Sequence, residues 1–336
     1  MSSKIFNNKS VLVTGGTGSF GKSFLQTLLE KYKCSRIILY SRDELKQSQI
    51  QNTYNSPNLR FLIGDVRDTE RLNLAMRDVD IVVHAAAMKQ IPASEYNPTE
   101  CIKTNIYGAQ NVIECSIKNN VKKVLALSTD KAVSPINLYG ATKLASDKLF
   151  VSANNIVGKQ ETKFSIVRYG NVIGSRGSVL PFFKKLIKEN KKYFPITDLE
   201  MTRFWFEMSD AIKFVLDSIS LMRGGEIFVP KIPSINIVDL AKSLDPKFKL
   251  KIIGKRPGEK LHEVMCPKDE YEKVIEFKKY FVITPSISFG LKKNYNYFKS
   301  LTGEKGSKVI KNFEYHSGIN KDFLTLKEIK ALNKKY

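Results

Sequence analysis

The stretch STDKAVSPINLYGATK, Ser128 to Lys143, gathers Thr129, Asp130, Lys131, Tyr139 and Lys143 into sixteen residues. Tyr139 and Lys143 stand four residues apart, a spacing that puts both side chains on one face of a helix. A phenol ordinarily ionises too high to act near neutral pH, but a neighbouring ammonium favours the phenolate. Such a pair can take the proton of an alcohol while hydride leaves the same carbon, with Thr129 hydrogen-bonding the same hydroxyl. By itself Tyr-x-x-x-Lys is a common helix-surface spacing. Its meaning depends on the elements around it.

Asp130 and Lys131 add groups that a simple alcohol oxidation does not need. Adjacent opposite charges can be a surface pair of little consequence, yet beside an oxidising tyrosine they supply an acid and a base. Once C4 of a hexose is a ketone, the hydrogen on C5 is acidic, and its removal lets the C6 hydroxyl leave as water if a proton is supplied. Lys131 suits the removal if burial lowers its pKa, and Asp130 suits the donation. Return of the hydride to C6 closes a 4,6-dehydration that regenerates its cofactor.

The segments before this stretch read as a scaffold for a nucleotide. An apolar run, Ser10 to Val13, leads through Thr14 into GGTGSFG and then a helical pattern: strand, glycine turn, helix. The glycines fit two registers, Gly15/Gly18/Gly21 and Gly16/Gly18/Gly21, and either brings backbone close to a pyrophosphate at a helix N-terminus. Thr17, Ser19 and Phe20 lie on the same turn. A plain tight turn is the simpler alternative, but placement between strand and helix favours dinucleotide binding. After the strand RIILY comes Ser41 and then Arg42, with Lys46 one turn on. A carboxylate at that point would favour a free ribose 2'-hydroxyl, whereas a small hydroxyl followed by Arg suits a 2'-phosphate, so NADP is expected rather than NAD. The alternative is a solvated basic helix start with Asp43 beside it.

RFLIGDVRD reads as a third strand whose end, Gly64-Asp65-Val66, meets the adenine edge. A fourth, IVVHAAAMKQIP, has small residues Ala85 to Ala87, Ala86 at their centre, that let backbone approach a ligand, with Lys89 the first charge beyond. His84 reads as a satisfied structural histidine. An amphipathic helix starting near Pro98 carries Asn105 and Gly108. VKKVLALST is the fifth strand and delivers Ser128–Lys143 at its C-terminal end, the edge of a parallel sheet where ligands bind. FSIVRYGNV begins the sixth. Six strand and helix alternations predict an α/β fold, a doubly wound parallel sheet of Rossmann type with a smaller C-terminal substrate-binding domain. The expected division gives residues 1–170 and about 207–230 to the NADP-binding domain, and 171–206 with 231–336 to the substrate domain. The Lys-rich tail after about Gly303 is expected to be partly extended or an oligomer contact.

The bulk composition narrows the class further. With 336 residues the chain can bury a sizeable core, and its four cysteines, Cys34, Cys101, Cys115 and Cys266, lack the spacing of a zinc site or a disulfide framework. No metal is expected. The N-terminal segment MSSKIFNNKS has no apolar core of a signal peptide, and no apolar run reaches the ~20 residues that span a bilayer, so a cytoplasmic protein without membrane contact is expected. The net charge of +22 implies attraction to anions. No helix-turn-helix, zinc finger, RNP-like strand or Arg-rich arm accompanies it, so nucleotide phosphates rather than nucleic acid are the expected anionic partner.

Taken together, GGTGSFGK, YSRDELKQ, IGDVRD, HAAAMK, ALSTDKA, YGATKLASDKLF, RYGNVIGSRGSVLPFFKKLI, MTRFW, IFVPKIPS and RPGEKLHE resemble the inverting UDP-N-acetylglucosamine 4,6-dehydratases of pseudaminic acid biosynthesis, within the extended short-chain dehydrogenase/reductase superfamily. The resemblance runs to about Tyr315. It implies Asp130 and Lys131 as acid and base at C6 and C5, Tyr139 and Lys143 as the oxidation pair, and Lys89 reaching both cofactor and substrate. It also implies that Val179, Asn171, Arg203, Arg256 and Glu259 hold UDP-N-acetylglucosamine, Arg256 as a bidentate diphosphate clamp. Other nucleotide-sugar dehydratases of the superfamily carry Asp-Glu after the Thr, where this chain, like the inverting group, has Asp-Lys. The resemblance further implies a homo-oligomer, plausibly a hexamer. Two other functions use the same scaffold: a retaining dehydratase or nucleotide-sugar epimerase, and a catalytically silent NADP-binding sensor.

Overall fold

The computed structural model describes residues 4–175, 177–287 and 296–336. Arg176 of the GSRGSVLP segment and the first three residues of MSSKIFNNKS lie outside the described residues. From the N-terminus, β1 (Ser10–Thr14) turns into α1 (Ser19–Lys31), followed by β2 (Arg36–Ser41), α2 (Glu44–Thr53), β3 (Leu59–Ile63), α3 (Thr69–Ala75) and β4 (Ile81–His84). Next come α4 (Ile91–Tyr96), α5 (Pro98–Ile102) and α6 (Gly108–Lys118), the last two joined by a π-helical turn over Lys103–Tyr107. The widened turn puts Asn105 against the loop after β4, where its side chain accepts from the Met88 N–H at 2.8 Å and donates to the Met88 carbonyl at 2.9 Å. β5 (Lys123–Thr129), a 3-10 turn at Asp130–Ala132, α7 (Leu138–Ala153) and β6 (Lys163–Tyr169) then complete the alternation.

The chain leaves the sheet through β7 (Asn171–Val172), α8 (Val179–Lys188), β8 (Tyr193–Ile196) and β9 (Thr202–Phe206). It returns in α9 (Met208–Leu221) and β10 (Ile227–Pro230), and leaves again in β11 (Ser234–Asn236), α10 (Ile237–Leu244), β12 (Lys249–Ile252) and β13 (Val264–Cys266). The last elements are β14 (Val274–Glu276), β15 (Tyr280–Ile283), β16 (Ser307–Lys308), β17 (Tyr315–His316) and α11 (Leu326–Asn333).

The main sheet has ten strands in the order β16-β14-β15-β10-β6-β5-β4-β1-β2-β3. From β3 through β10 every pairing is parallel, and β15, β14 and β16 add antiparallel partners at one edge. Alternation along each strand feeds two cores. Leu12 of β1 faces a cluster with Val112, Ile113 and Phe150, while Val11 and Val13 face one with Phe24, Leu28 and Val215. A third core, with Phe183, Phe194, Trp205, Leu240 and Ile329, holds the smaller domain together.

Two expectations differ from the observed chain path. Residues 274–308, grouped above with the substrate domain, supply β14, β15 and β16 to the edge of the main sheet. These strands are two to four residues long, too short to carry a period that would separate them from loop. The tail is folded rather than extended: β17 pairs with β13, and α11 packs on α10, where Asn333 Nδ2 donates to Ser243 Oγ at 2.7 Å.

Candidate active site

Strand order reverses between β1 and β4, and the crevice at their C-terminal ends is the ligand position of such sheets. The glycine turn is built there. Gly15 takes φ +66°, and a Cβ on it would lie 2.9 Å from the backbone of Ala86, so the turn sits directly on the Ala85–Ala87 loop. Gly18 is the N-cap of α1 and offers no side chain to the first-turn amides, an arrangement that accepts phosphate oxygens. Both registers of the motif are used: Gly21 packs against the backbone of Gly16 while Gly15 makes the turn.

A cavity of about 640 Å³ runs from this turn to the Ser128–Lys143 stretch, within the range of cofactor sites. It is lined by all the cofactor candidates, from Gly15 and Thr17–Gly21 through Ser41, Arg42, Lys46, Asp65, Val66, Ala86 and Lys89 to Tyr139 and Lys143. At its adenosine end Asp43 caps α2, accepting from the Lys46 N–H at 2.9 Å, and is ion-paired with the Lys46 side chain. Arg42, 60 % exposed, lies 3.5 Å from Asp65, whose carboxylate is gripped mainly by Arg67. Burial would raise the Asp65 pKa, but the Arg67 hydrogen bonds outweigh it and hold the group below the usual carboxylate range.

At the other end, β5 delivers Thr129, the 3-10 turn carries Asp130 and Lys131, and α7 presents Tyr139 and Lys143. Asp130 is fully buried, and Lys131 Nζ lies 3.0 Å from its Oδ1. The adjacent charges are therefore a buried carboxylate and a partly buried ammonium facing a cavity rather than a surface pair. Thr129 Oγ1 donates to the same Asp130 oxygen at 2.9 Å. α7 can approach this turn because residue 140 is glycine: a Cβ there would lie 2.2 Å from the Lys131 carbonyl. Gly140→Ala is expected to push the Asp130–Lys131 turn away from Tyr139, costing about 1–3 kcal/mol of stability. A thermal melt together with a turnover assay checks both losses, and unchanged values would mean that the turn relaxes freely.

The electrostatics revise two expectations. Burial alone would lower the Lys131 pKa, as the dehydration chemistry anticipates, but the Asp130 and Glu263 carboxylates more than offset it and the group is held above an ordinary lysine. Lys131 is thus an ammonium at rest. Burial also pushes Tyr139 up to about 12, opposed chiefly by Lys131 and by a hydrogen bond with Thr129. Lys143 was expected to be the ammonium that favours phenolate. Instead its Nζ donates to the Leu127 carbonyl at 2.8 Å, and burial lowers its pKa. His84 is a satisfied core group, with Nδ1 2.8 Å from Thr14 Oγ1, and burial pushes its pKa down to about 3. All four cysteines are buried and free.

A second cavity, about 510 Å³, adjoins the first and shares Lys131 and Asn171 with it. Val179, Arg203, Arg256 and Glu259 line it, while Lys89 stands on the cofactor side. Arg203 donates to the carbonyls of Thr202, Lys260 and Leu261 at 2.7–3.0 Å and lies 3.7 Å from both Glu259 and Glu263. It therefore fixes the 256–263 loop as well as lining the cavity. Glu259 accepts from Thr197 Oγ1 at 3.2 Å and from the Arg256 N–H at 3.3 Å.

Two residues outside the expected set also build the site. Asn137 caps α7, accepting from the Gly140 N–H at 2.7 Å, and donates to the Gly258 carbonyl at 2.8 Å, tying the smaller domain to the helix of Tyr139. Glu263 lies 3.2 Å from Lys131 Nζ. The Asn before a helical run is a readable cap signal, but nothing in RPGEKLHE marks which of its carboxylates turns inward. Among the described residues no group of His, Cys, Asp and Glu could hold a metal ion, and no helix is long and apolar enough to cross a membrane.

A parallel sheet with this glycine turn, and with Tyr and Lys one turn apart beyond the middle strand, is the arrangement of the extended short-chain dehydrogenases/reductases. Within that class the chain belongs to the family described as polysaccharide biosynthesis protein, which it matches over residues 11–285. A relative from Campylobacter jejuni named UDP-N-acetylglucosamine 4,6-dehydratase (inverting) is 59% identical over 325 residues, covering 97% of both chains. One from Rickettsia bellii named UDP-glucose 4-epimerase is 40% identical over 98% of this chain and 96% of its own. The X-ray structure of Pen from Bacillus thuringiensis superposes with a TM-score of 0.88 at 36% identity, covering 99% of this chain and 98% of its own.

Proposed function

We propose that this chain catalyses the NADP-dependent 4,6-dehydration of UDP-N-acetylglucosamine with inversion at C5, giving the 4-keto-6-deoxy sugar nucleotide of L-arabino configuration, the first step of pseudaminic acid or related deoxyamino-sugar synthesis. The observation that carries the reading is the Asp130–Lys131 pair, 3.0 Å apart with Asp130 fully buried, in the same cavity as Tyr139. The Campylobacter relative's name supports the substrate and the inversion.

In this reading the first-turn amides of α1 and the glycine turn hold a dinucleotide pyrophosphate. Arg42 at the rim takes a ribose 2'-phosphate, since the carboxylate that could take a free ribose, Asp43, is used as a helix cap. When bound, the nicotinamide supplies redox chemistry, accepting hydride from C4 and returning it at C6. Tyr139, steadied by Thr129, takes the C4 hydroxyl proton. Passage of one proton along the 3.0 Å contact turns the Lys131 ammonium and Asp130 carboxylate into an amine and a carboxylic acid. The amine takes the C5 proton, the acid protonates the departing C6 oxygen, a C5–C6 double bond forms as the C6–O bond breaks, and the ion pair is restored. Protonation of C5 from the opposite face completes the inversion; the proton is balanced by the one Tyr139 took from the C4 hydroxyl, which it gives up by exchange with solvent as the cycle closes. Arg203, Arg256, Glu259, Asn171 and Val179 hold the UDP moiety, and Lys89 lies toward both ligands.

Incubation with UDP-N-acetylglucosamine in heavy water, followed by NMR, is expected to give a 6-deoxy product with deuterium at C5 and inverted configuration. Retained C5 configuration overturns the inversion. A C4 epimer without 6-deoxy product instead supports the epimerase function named for the Rickettsia relative. For the cofactor, Arg42→Ala is expected to weaken NADP binding about 10-fold or more, the scale of a charge-assisted hydrogen bond, with NAD affinity unchanged. Equal losses for both dinucleotides, measured by calorimetry, would remove the 2'-phosphate role. The same reading expects a cytoplasmic homo-oligomer, a hexamer, which mass measurement in solution tests.

A further inference from the structure

The strongest polar cluster left over by this chemistry surrounds the Lys131 amine. Glu263, just before β13, comes from 132 positions further along the chain, yet its Oε1 lies 3.2 Å from Lys131 Nζ and 3.7 Å from Arg203 Nε. Its side chain is 2 % exposed, and its second oxygen, Oε2, is buried without a hydrogen-bond partner. A buried carboxylate oxygen left unpaired opposes folding. Its backbone is nonetheless clamped in place. The Glu263 N–H donates to Ser317 Oγ at 2.8 Å, the Ser317 N–H donates back to the Glu263 carbonyl at 2.8 Å, and Ser317 Oγ is 2.8 Å from Thr202 Oγ1 on β9. Three separate segments thus fix a costly carboxylate beside the amine, in the wall of the substrate-side cavity.

We propose that Glu263 is a positioning residue of the dehydration: it gives the Lys131 amine a second carboxylate, distant in sequence from Asp130, and so fixes the face from which the amine meets C5. The inference rests on the dehydratase reading and names the residue that controls its base. With Asp130 alone, Lys131 sits on a tether to its own sequence neighbour and can swing about that contact. The second acceptor removes this freedom. A side chain 22 % exposed, within a cavity wall, then presents its remaining hydrogens or lone pair in one direction.

The charged and titratable groups facing Lys131 are Asp130 on its own turn, Glu263 before β13, Arg203 on β9, Lys260 on the preceding loop and Tyr139 on α7. Removing the Glu263 charge leaves Asp130 as the carboxylate among these groups and keeps three that disfavour an ammonium or are indifferent to it. The ammonium then loses its proton to solvent more readily, which leaves no proton for Asp130 to pass to the C6 oxygen, so the alkaline limb of kcat moves to lower pH.

Three proteins are compared in heavy water with UDP-N-acetylglucosamine: wild type, Glu263→Gln and Glu263→Asp, each first shown by melting and NADP titration to be folded and loaded. For Glu263→Gln the expected result is an alkaline limb lower by about one to three pH units, the effect of one close charge, and a mixture of C5 configurations. Glu263→Asp keeps the charge but withdraws it by one methylene. It is expected to keep the wild-type limb, lose about 10-fold in kcat as expected for a misplaced catalytic group, and also yield mixed C5 configurations. A Glu263→Gln enzyme with an unmoved limb and one C5 configuration overturns the proposal. If Glu263→Gln does not fold, the Glu263→Asp enzyme decides: a single C5 configuration at wild-type rate overturns the proposal. A wild-type enzyme that forms no 6-deoxy sugar overturns the dehydratase reading itself, and the positioning role with it.

Discussion

Lys131→Ala is expected to stop 6-deoxy sugar formation, with a loss of about 10²–10⁴-fold typical of a missing general base, while NADP stays bound. Oxidation at C4 needs Tyr139 rather than Lys131, so mixing the variant with UDP-N-acetylglucosamine should produce the absorbance of reduced nicotinamide and hold it there. That burst should require higher pH than wild-type turnover, because the Lys131 charge is the main electrostatic influence that opposes the upward push of burial on the Tyr139 phenol. The substitution also strips the cation from two carboxylates that are 0 % and 2 % exposed. A stability loss of about 3–5 kcal/mol is expected from leaving buried charge uncompensated, visible as a lower melting temperature. Full dehydratase turnover in the variant would remove Lys131 from the chemistry.

Tyr139→Phe should stall one step earlier. The phenol is the only group among the expected catalytic set that can take the C4 hydroxyl proton at the end of α7, and without a C4 ketone the C5 hydrogen is not acidic. Turnover is expected to fall by about 10²–10⁴-fold. Unlike Lys131→Ala, this variant should show neither reduced-nicotinamide absorbance nor deuterium at C5 after incubation in heavy water. Stability should change little, since the ring is retained and the hydroxyl faces the cavity wall formed with Thr129. Deuterium exchange at C5 at the wild-type rate would show that another group oxidises C4. Comparing the two variants therefore separates the redox step from the elimination.

Much of the site lies within short sequence spans and follows from local rules. The glycine turn, the cap-free start of α1 and the Tyr139–Lys143 spacing each involve residues within one turn of one another, so strand and helix periods place them. Arg42, Asp65 and Ala86 follow because the ends of parallel strands converge on one edge. The antiparallel strands β14, β15 and β16 were hidden, being too short for a period and recruited by the open edge of β10. The folded tail was hidden for a related reason. Its contacts, β17 on β13 and α11 on α10, are made by short elements whose partners lie far back in the chain.

The sequence by itself determined a strand-turn-helix of dinucleotide-binding pattern, a tyrosine and a lysine one helical turn apart, and a carboxylate and an amine close by in the chain. These are properties of neighbours in the chain, and side-chain type with helical or strand period is enough to state them. The tertiary structure alone decided the charge environment of Lys131. Burial on its own would lower the Lys131 pKa, but Glu263, arriving from a distant loop, joins Asp130 to hold it above an ordinary lysine. The same folding turned Lys143 toward the Leu127 carbonyl and set Lys131 where its charge opposes the upward push of burial on Tyr139. Charge interactions in a buried site depend on separations of a few ångströms between residues far apart in sequence, and those separations exist only once the chain has folded.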